Sequence, residues 1–206
     1  MRFKSNLPQI LLSILVLAIG TTACAQNLEG AALVHALERG GYVLVMRHAS
    51  SPPEPPAKES ADAENTRDER QLDEKGRTTA TAMGTALHEL KISVGTVLSS
   101  PTYRALQTVK YAQLGTALTY AELGDNGKSM QGGTEAQALW LQNRVKQFPS
   151  GTNTFIVTHN PNMTAAFPQI GSPVADGEVL VFGPDGKGGA TIVARIKIEE
   201  WPSLRP

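Results

Sequence analysis

Tyr42, Val43, Leu44, Val45 and Met46 form a continuous apolar run rich in β-branched side chains, and it ends abruptly at Arg47 and His48. A run this apolar fits a strand buried on both faces, as in a parallel sheet with helices on either side. The small residues Ala49 and Ser50, then Ser51-Pro52-Pro53, cannot continue the strand. A guanidinium and an imidazole therefore stand at the carboxyl end of a buried strand, where open α/β sheets place their ligands.

The rest of the chain alternates in the manner such a sheet requires. Asn27 to Arg39 carries Leu28, Ala32, Leu33 and Leu37 on one helical face and stops at Gly40-Gly41. Ser50 to Arg70 is long, polar and rich in proline and acid, and reads as a mobile flap over the end of the first strand. Asp73 is a good N-cap for a helix from Glu74 to about Leu90. Val94 to Leu98 reads as a second strand, and Ser99-Ser100-Pro101 as the start of a helix running to about Leu114. Ala117 to Ala121 suits a third strand, and Gly124 to Gly133 a glycine-rich loop. Thr134 and Gln137 have capping-box spacing before the next helix. Thr154 to Val157 is another buried strand, leading into Thr158-His159-Asn160. Val179 to Phe182 and Thr191 to Ile198 form a closing pair around the turn signal Pro184-Asp185-Gly186. The pattern predicts a three-layer α/β/α sandwich with a mostly parallel central sheet, spanning residues 27–206 as one domain.

Residues 1–25 stand apart. Arg2 and Lys4 precede an apolar stretch, Leu7 to Gly20, which is short for a membrane span, and small residues follow. This is the layout of a bacterial export signal. Ala23-Cys24-Ala25 permits release of a soluble protein, while Thr21-Thr22-Ala23-Cys24 resembles a lipoprotein box with Cys24 as the lipidated residue. Cys24 is the only cysteine of the chain, which rules out an internal disulfide and favours the anchor. The expectation is a periplasmic or outer-membrane-anchored protein. A formal net charge of zero offers no field for nucleic acid.

Three strand ends share polar chemistry: Arg47-His48, then Ser100 and Arg104, then His159-Asn160. In a parallel sheet these ends lie on one edge. His35 and His88 fall inside amphipathic helices and suit surface or packing roles. Two imidazoles with two guanidiniums make a poor metal site, since guanidinium repels a cation and no carboxylate or thiolate cluster completes a shell. They make a good phosphoryl site, because arginine matches phosphate oxygens and a neutral imidazole nitrogen can attack phosphorus. The guanidiniums also disfavour protonation of His48.

Arg47-His48-Ala49, Arg70-Gln71-Leu72-Asp73-x-x-Gly76, Ser99-Ser100-Pro101-x-x-Arg104-Ala105-x-x-Thr108 and Val157-Thr158-His159-Asn160, in this order, resemble the histidine phosphatase superfamily with its phosphoglycerate-mutase-like fold. The resemblance implies His48 as the phosphorylated nucleophile, Arg47 and Arg104 as phosphoryl clamps, and His159 completing the pocket. Ser100 and Asn160 would border it. Leu72, Asp73 and Gly76 would be structural, and Arg70 and Gln71 fall between structure and pocket edge. No metal and no cofactor is implied.

The sequence departs from the family at the proton donor. The residue after the second histidine is Asn160, which cannot serve as a carboxylic acid. Glu122 is the leading candidate, with Asp125 and Glu178 behind it. The expected activity is hydrolysis of a phosphorylated small molecule or envelope component, with a glycolipid substrate suggested by the family's exported branch acting on a lipopolysaccharide heptose. The alternative is an envelope protein that binds a phosphorylated ligand without turnover.

Overall fold

The computed structural model describes residues 27–125 and 134–206. The export signal, Cys24 and most of the glycine-rich loop lie outside the described residues.

Six strands form one sheet. They are β1 (Val43–Arg47), β2 (Val94–Ser99), β3 (Ala117–Thr119), β4 (Asn153–Thr158), β5 (Val179–Pro184) and β6 (Ala190–Ile196), in the order β3-β2-β4-β1-β5-β6. β1 through β4 run parallel, while β5 lies antiparallel to β1 and β6 antiparallel to β5. The sheet is mostly parallel, as the apolar runs require. The helices are α1 (Gly30–Arg39), α2 (Glu74–Glu89), α3 (Tyr103–Tyr111), α4 (Thr134–Arg144) and α5 (Asn160–Ala166).

The side chains of β1 show why the run is continuous rather than alternating. Leu44 and Met46 enter a cluster with Leu37 of α1, Met83 of α2 and Val109 of α3. Val43 and Val45 enter the opposite cluster, with Leu141 of α4 and Met163 of α5. Both faces are thus covered and all four residues are buried. Trp201, in a short 3₁₀ segment from Ile198 to Ser203, fills the first cluster, so the last predicted strand ends two residues early.

The entry to α2 is built as predicted. Asp73 accepts from the Gly76 amide at 2.6 Å and from the Ser50 hydroxyl at 2.7 Å. Its own amide donates to the Ser50 carbonyl at 3.2 Å. A Cβ on Gly76 would overlap that carbonyl oxygen and lie 3.0 Å from its carbon, so glycine is what permits the helix to seat against the exit of β1.

Residues 50–70 are not the loose flap that their composition suggests. The Asp62 carboxylate accepts from Gln107 Nε2 at 2.5 Å, and Glu69 accepts from the Tyr103 amide at 2.8 Å. Gln71 accepts from the Asp62 amide at 3.0 Å and donates to the Ser60 carbonyl at 2.9 Å. Gln107, itself buried, also accepts from the Leu72 amide at 2.7 Å. Asp62 and Glu69 therefore serve as acceptors that fasten the segment to α3 instead of solvating it. One consequence is that α3 begins at Tyr103 rather than at Pro101, with Glu69 taking up its first amide.

Candidate active site

The parallel order brings β1, β4 and β2 side by side with their carboxyl ends on one edge. The ladder continues past the strands: the His48 amide donates to the Thr158 carbonyl at 3.0 Å, and the Ser100 amide to the Val157 carbonyl at 2.9 Å. Arg47, His48, Ser100 and His159 are thus placed by backbone hydrogen bonds. Arg104 follows as the second residue of α3.

Arg104 is the centre of the cluster. Its Nε donates to His48 Nε2 at 3.1 Å and its Nη2 to His159 Nδ1 at 3.1 Å. The two imidazole rings lie 5.2 Å apart, edge to face. Both are buried, as is Arg104. His48 donates through Nδ1 to the Ala49 carbonyl at 2.8 Å, which fixes Nε2 as the nitrogen with the lone pair. His159 donates through Nε2 to the Ser100 hydroxyl at 2.9 Å, which leaves Nδ1 as the acceptor facing Arg104.

Burial pushes the His48 imidazole well below its ordinary pKa, and a charge on His159, Arg104 or Arg47 pushes the same way; the bond to Ala49 opposes them. His159 is lowered for the same first reason, with Arg104, Arg70 and Arg47 adding to it. Both rings are neutral near pH 7. An uncharged imidazole with a directed lone pair is a nucleophile in waiting.

The motif spacing around α3 has a geometric reason. Ser100 supports His159, and Arg104 reaches both rings. Thr108, one turn further on, donates to the Arg104 carbonyl at 2.9 Å and accepts from the Ala49 amide at 3.1 Å. Three residues spaced by four tie one helix to both histidine strands.

Not every expected residue sits where the sequence placed it. Ser100 is fully buried and its hydroxyl holds the His159 ring, which gives it a supporting place beside the cluster. The Asn160 Oδ1 is taken by the Val174 amide at 2.8 Å, which makes Asn160 an anchor for the loop before β5. Glu122 lies in a 3₁₀ turn, Ala121–Leu123, and makes no side-chain hydrogen bond or ion pair among the described residues. The carboxylate that pairs with Arg104 Nη2 is Asp125. Glu178 is committed elsewhere: its two oxygens accept from the Ala175 amide at 2.9 Å and from Arg195 at 2.7 Å.

Two further groups join the site. Arg70 is held by the carbonyls of Pro52 and Ser51, at 2.6 and 3.0 Å, just beyond the exit of β1. Burial and the charge of Arg104 draw its pKa down, while Asp125 and Asp176 pull it up, so it shares the electrostatic field of the cluster. Asp176 places Oδ1 at 2.6 Å from Arg47 Nη2, and Arg47 Nη1 donates to the Val174 carbonyl at 2.7 Å. Asp176 carries no linear signal, being an acid in a turn before Gly177.

Residues 43–125 match the family model of the histidine phosphatase superfamily, branch 1. That span holds Arg47, His48, Arg70, Arg104 and Asp125, and the fold adds His159 from β4 beside them. The superfamily's signature thus lies within residues 43–125, and the fold is the one that solved histidine phosphatases share. The protein histidine phosphatase SixA in complex with tungstate is similar over 77% of this chain and 98% of its own, at 19% identity and a TM-score of 0.56. A putative phosphohistidine phosphatase SixA from Agrobacterium tumefaciens matches over 76% and 97%, at 19% identity and 0.52. A phosphoserine phosphatase mutant from Entamoeba histolytica, in complex with phosphoserine, matches over 77% and 98%, at 10% identity and 0.55. At these identities the likeness is one of fold. No curated protein matches the chain in sequence.

Proposed function

We propose that the protein is an exported, metal-independent phosphatase that acts on a phosphorylated small molecule or envelope component through a phosphohistidine at His48. The observation that carries this reading is the wiring of His48: Nδ1 is tied to the Ala49 carbonyl, and the buried, neutral Nε2 faces the Arg104 guanidinium. Support for export comes from Arg2, Lys4 and the apolar stretch before Cys24.

In the first step His48 Nε2 attacks phosphorus, forming the N–P bond as the bond to the leaving oxygen breaks. Arg104 and Arg47 take up the phosphoryl oxygens, with Arg70 adding positive potential nearby, because charge spreads over those oxygens in the transition state. A phosphoryl dianion reverses the local field at His159 and favours its protonation, which makes Nδ1 a donor to the same group. As Arg104 turns from it to the phosphoryl oxygens, the Asp125 carboxylate takes up a proton from solvent and gives it to the leaving oxygen. In the second step Asp125 takes a proton from water, the hydroxide attacks phosphorus, and neutral His48 departs. The pairing of Asp125 with Arg104 puts a carboxyl group beside the phosphoryl position, which favours turnover over mere binding.

The test is phosphate release from an activated aryl phosphate by the purified protein, with and without chelator, beside His48→Ala. Release that survives chelation, with an acid-labile phosphoprotein that the variant does not form, is the expected result. Equal release by both proteins refutes the assignment of His48. Phosphate binding without release supports the ligand-binding alternative.

A further inference from the structure

Three guanidiniums meet at the site, and two of them already have a carboxylate partner. Arg47 Nη2 lies 2.6 Å from Asp176 Oδ1, and Arg104 Nη2 pairs with Asp125. Arg70 forms no ion pair among the described residues. Its acceptors are backbone carbonyls: Pro52 takes Nε at 2.6 Å and Ser51 takes Nη2 at 3.0 Å. Those two donors form one edge of the guanidinium plane. The terminal edge, Nη1 with the second Nη2 hydrogen, has no acceptor among the described residues, and the residue is only half-buried.

The chain on either side of Arg70 is fastened to the helix that carries Arg104. Glu69 accepts from the Tyr103 amide at 2.8 Å, and the Leu72 amide donates to Gln107 Oε1 at 2.7 Å. Tyr103 and Gln107 flank Arg104 in α3 as Glu69 and Leu72 flank Arg70. The head group is referenced to β1 as well, since Ser51 and Pro52 lie just past His48 in the chain. A long side chain fixed at both its backbone and its head loses little freedom on meeting a ligand.

The electrostatics place that head among the reacting groups. Burial and then Arg104 lower the Arg70 pKa, while Asp125 and Asp176 raise it. The His159 imidazole is lowered by burial, then by Arg104, and then by Arg70 ahead of Arg47. An anion arriving at Arg70 meets charged donors without displacing anything from them. At Arg47 and Arg104 it must replace a carboxylate.

Resting on the phosphoryl-transfer reading of this pocket, we infer that Arg70 is a phosphoryl-binding residue: its terminal edge captures the phosphoryl oxygens as the group arrives and holds them, beside Arg47 and Arg104, through the transfer to His48. The neutral carbonyls of Ser51 and Pro52 aim the guanidinium without competing for its charge.

The experiment measures binding of inorganic phosphate by calorimetry to wild type, Arg70→Lys and Arg70→Met, with urea denaturation of each. Inorganic phosphate carries no second group, so its affinity reports the phosphoryl position alone. Arg70→Met weakens binding by about 10–100-fold, as the loss of charge-assisted bonds requires. Arg70→Lys loses about tenfold, because a point charge cannot reproduce the planar edge. In wild type with isotope-labelled arginine, saturating phosphate slows hydrogen exchange at the Arg70 Nη atoms, a readout that does not depend on a variant folding. Unchanged phosphate affinity in Arg70→Met, or unchanged Nη exchange at saturating phosphate, overturns the assignment, and phosphohistidine formation in the same wild type keeps the phosphatase reading intact. A folded wild type that binds no phosphate and forms no phosphohistidine removes both.

Discussion

Replacing Gly76 by alanine tests whether the seating of α2 sets the position of the nucleophile. In an open helix interior this change stabilises by about 1 kcal/mol, because alanine is the better helix former. Here the added methyl group meets backbone. It overlaps the Ser50 carbonyl oxygen and stands 3.0 Å from the carbonyl carbon and 3.1 Å from the nitrogen, against an optimum of about 3.5–4.0 Å between carbons. Either the helix start or the Ser50 backbone must retreat by about 1 Å. Overpacking of this kind costs about 1–3 kcal/mol. The retreat also strains the two bonds between Ser50 and Asp73, worth about 1 kcal/mol each. The overlap outweighs the propensity gain, and the expected net destabilisation is about 2 kcal/mol. Since Ser50 is two residues from His48, a shift of about 1 Å at the nucleophile lowers its phosphorylation rate about 10²-fold. Urea denaturation gives the first quantity, and rapid-quench phosphorylation by an activated aryl phosphate gives the second. A variant as stable and as fast as wild type refutes the close approach of α2 to the β1 exit.

Protonating the buried histidines costs stability. His48 and His159 have folded pKa values below the unfolded value of 6.5, so the unfolded chain binds more protons at acid pH. Unfolding free energy is therefore flat above about pH 7 and falls as pH drops below 6.5, by up to about 2.7 kcal/mol per unit for the pair. Urea titrations at pH 7.5 and 5.5 check this, and His48→Ala roughly halves the loss if the assignment holds. Asp125→Asn lowers phosphoenzyme formation from an alkyl phosphate roughly 10²–10⁴-fold, leaves formation from an activated aryl phosphate nearly unaffected, and slows phosphoenzyme breakdown alike for both, as read by rapid quench; an equal loss of formation from both esters places the defect in binding instead. Gln107→Leu strips Asp62 of a donor and leaves the Leu72 amide buried without an acceptor, costing about 2–3 kcal/mol. Hydrogen exchange across residues 60–72 rises in that variant, and unchanged protection there disproves the tether.

Much of this architecture is legible in the chain. A strand covered on both faces has no polar alternate positions, so Val43 to Met46 announces its own burial, and Arg47-His48 marks its exit. Asp73 and Gly76 show the start of α2 because capping and close approach need those residue types. What escaped has a common cause, the dependence of a loop residue on partners distant in sequence. The acids between Ser50 and Arg70 look like solvated charge until α3 supplies Tyr103 and Gln107 as donors. Helix α5 is hidden because it begins directly after β4, with Pro161 its only start signal. Choosing between Glu122 and Asp125 required the turn itself. Asn162 Nδ2 donates to the Glu122 and Gly124 carbonyls at 3.1 and 2.8 Å, and the Thr158 hydroxyl donates to the Leu123 carbonyl at 2.7 Å. Those three bonds fix a backbone whose next carboxylate, at Asp125, reaches Arg104.

In the proposed phosphoryl transfer, Arg104 ties resting state and reaction together. In the free protein its Nε occupies the lone pair of His48 Nε2 and its Nη2 that of His159 Nδ1, so neither ring can act while the guanidinium stays in place. Keeping two neutral imidazoles against a buried cation is tolerable because each offers a lone pair rather than a charge. A phosphoryl group entering between the rings offers Arg104 an anionic acceptor in exchange for a neutral one, and charge-assisted bonds are the stronger. The exchange releases Nε2 at the moment an electrophilic phosphorus arrives beside it. Thr108 bonds to both the Arg104 carbonyl and the Ala49 amide, so the swap proceeds without moving α3 away from the strand that bears His48. On that proposal one side chain caps His48 until a phosphoryl group is present, then holds that group for attack.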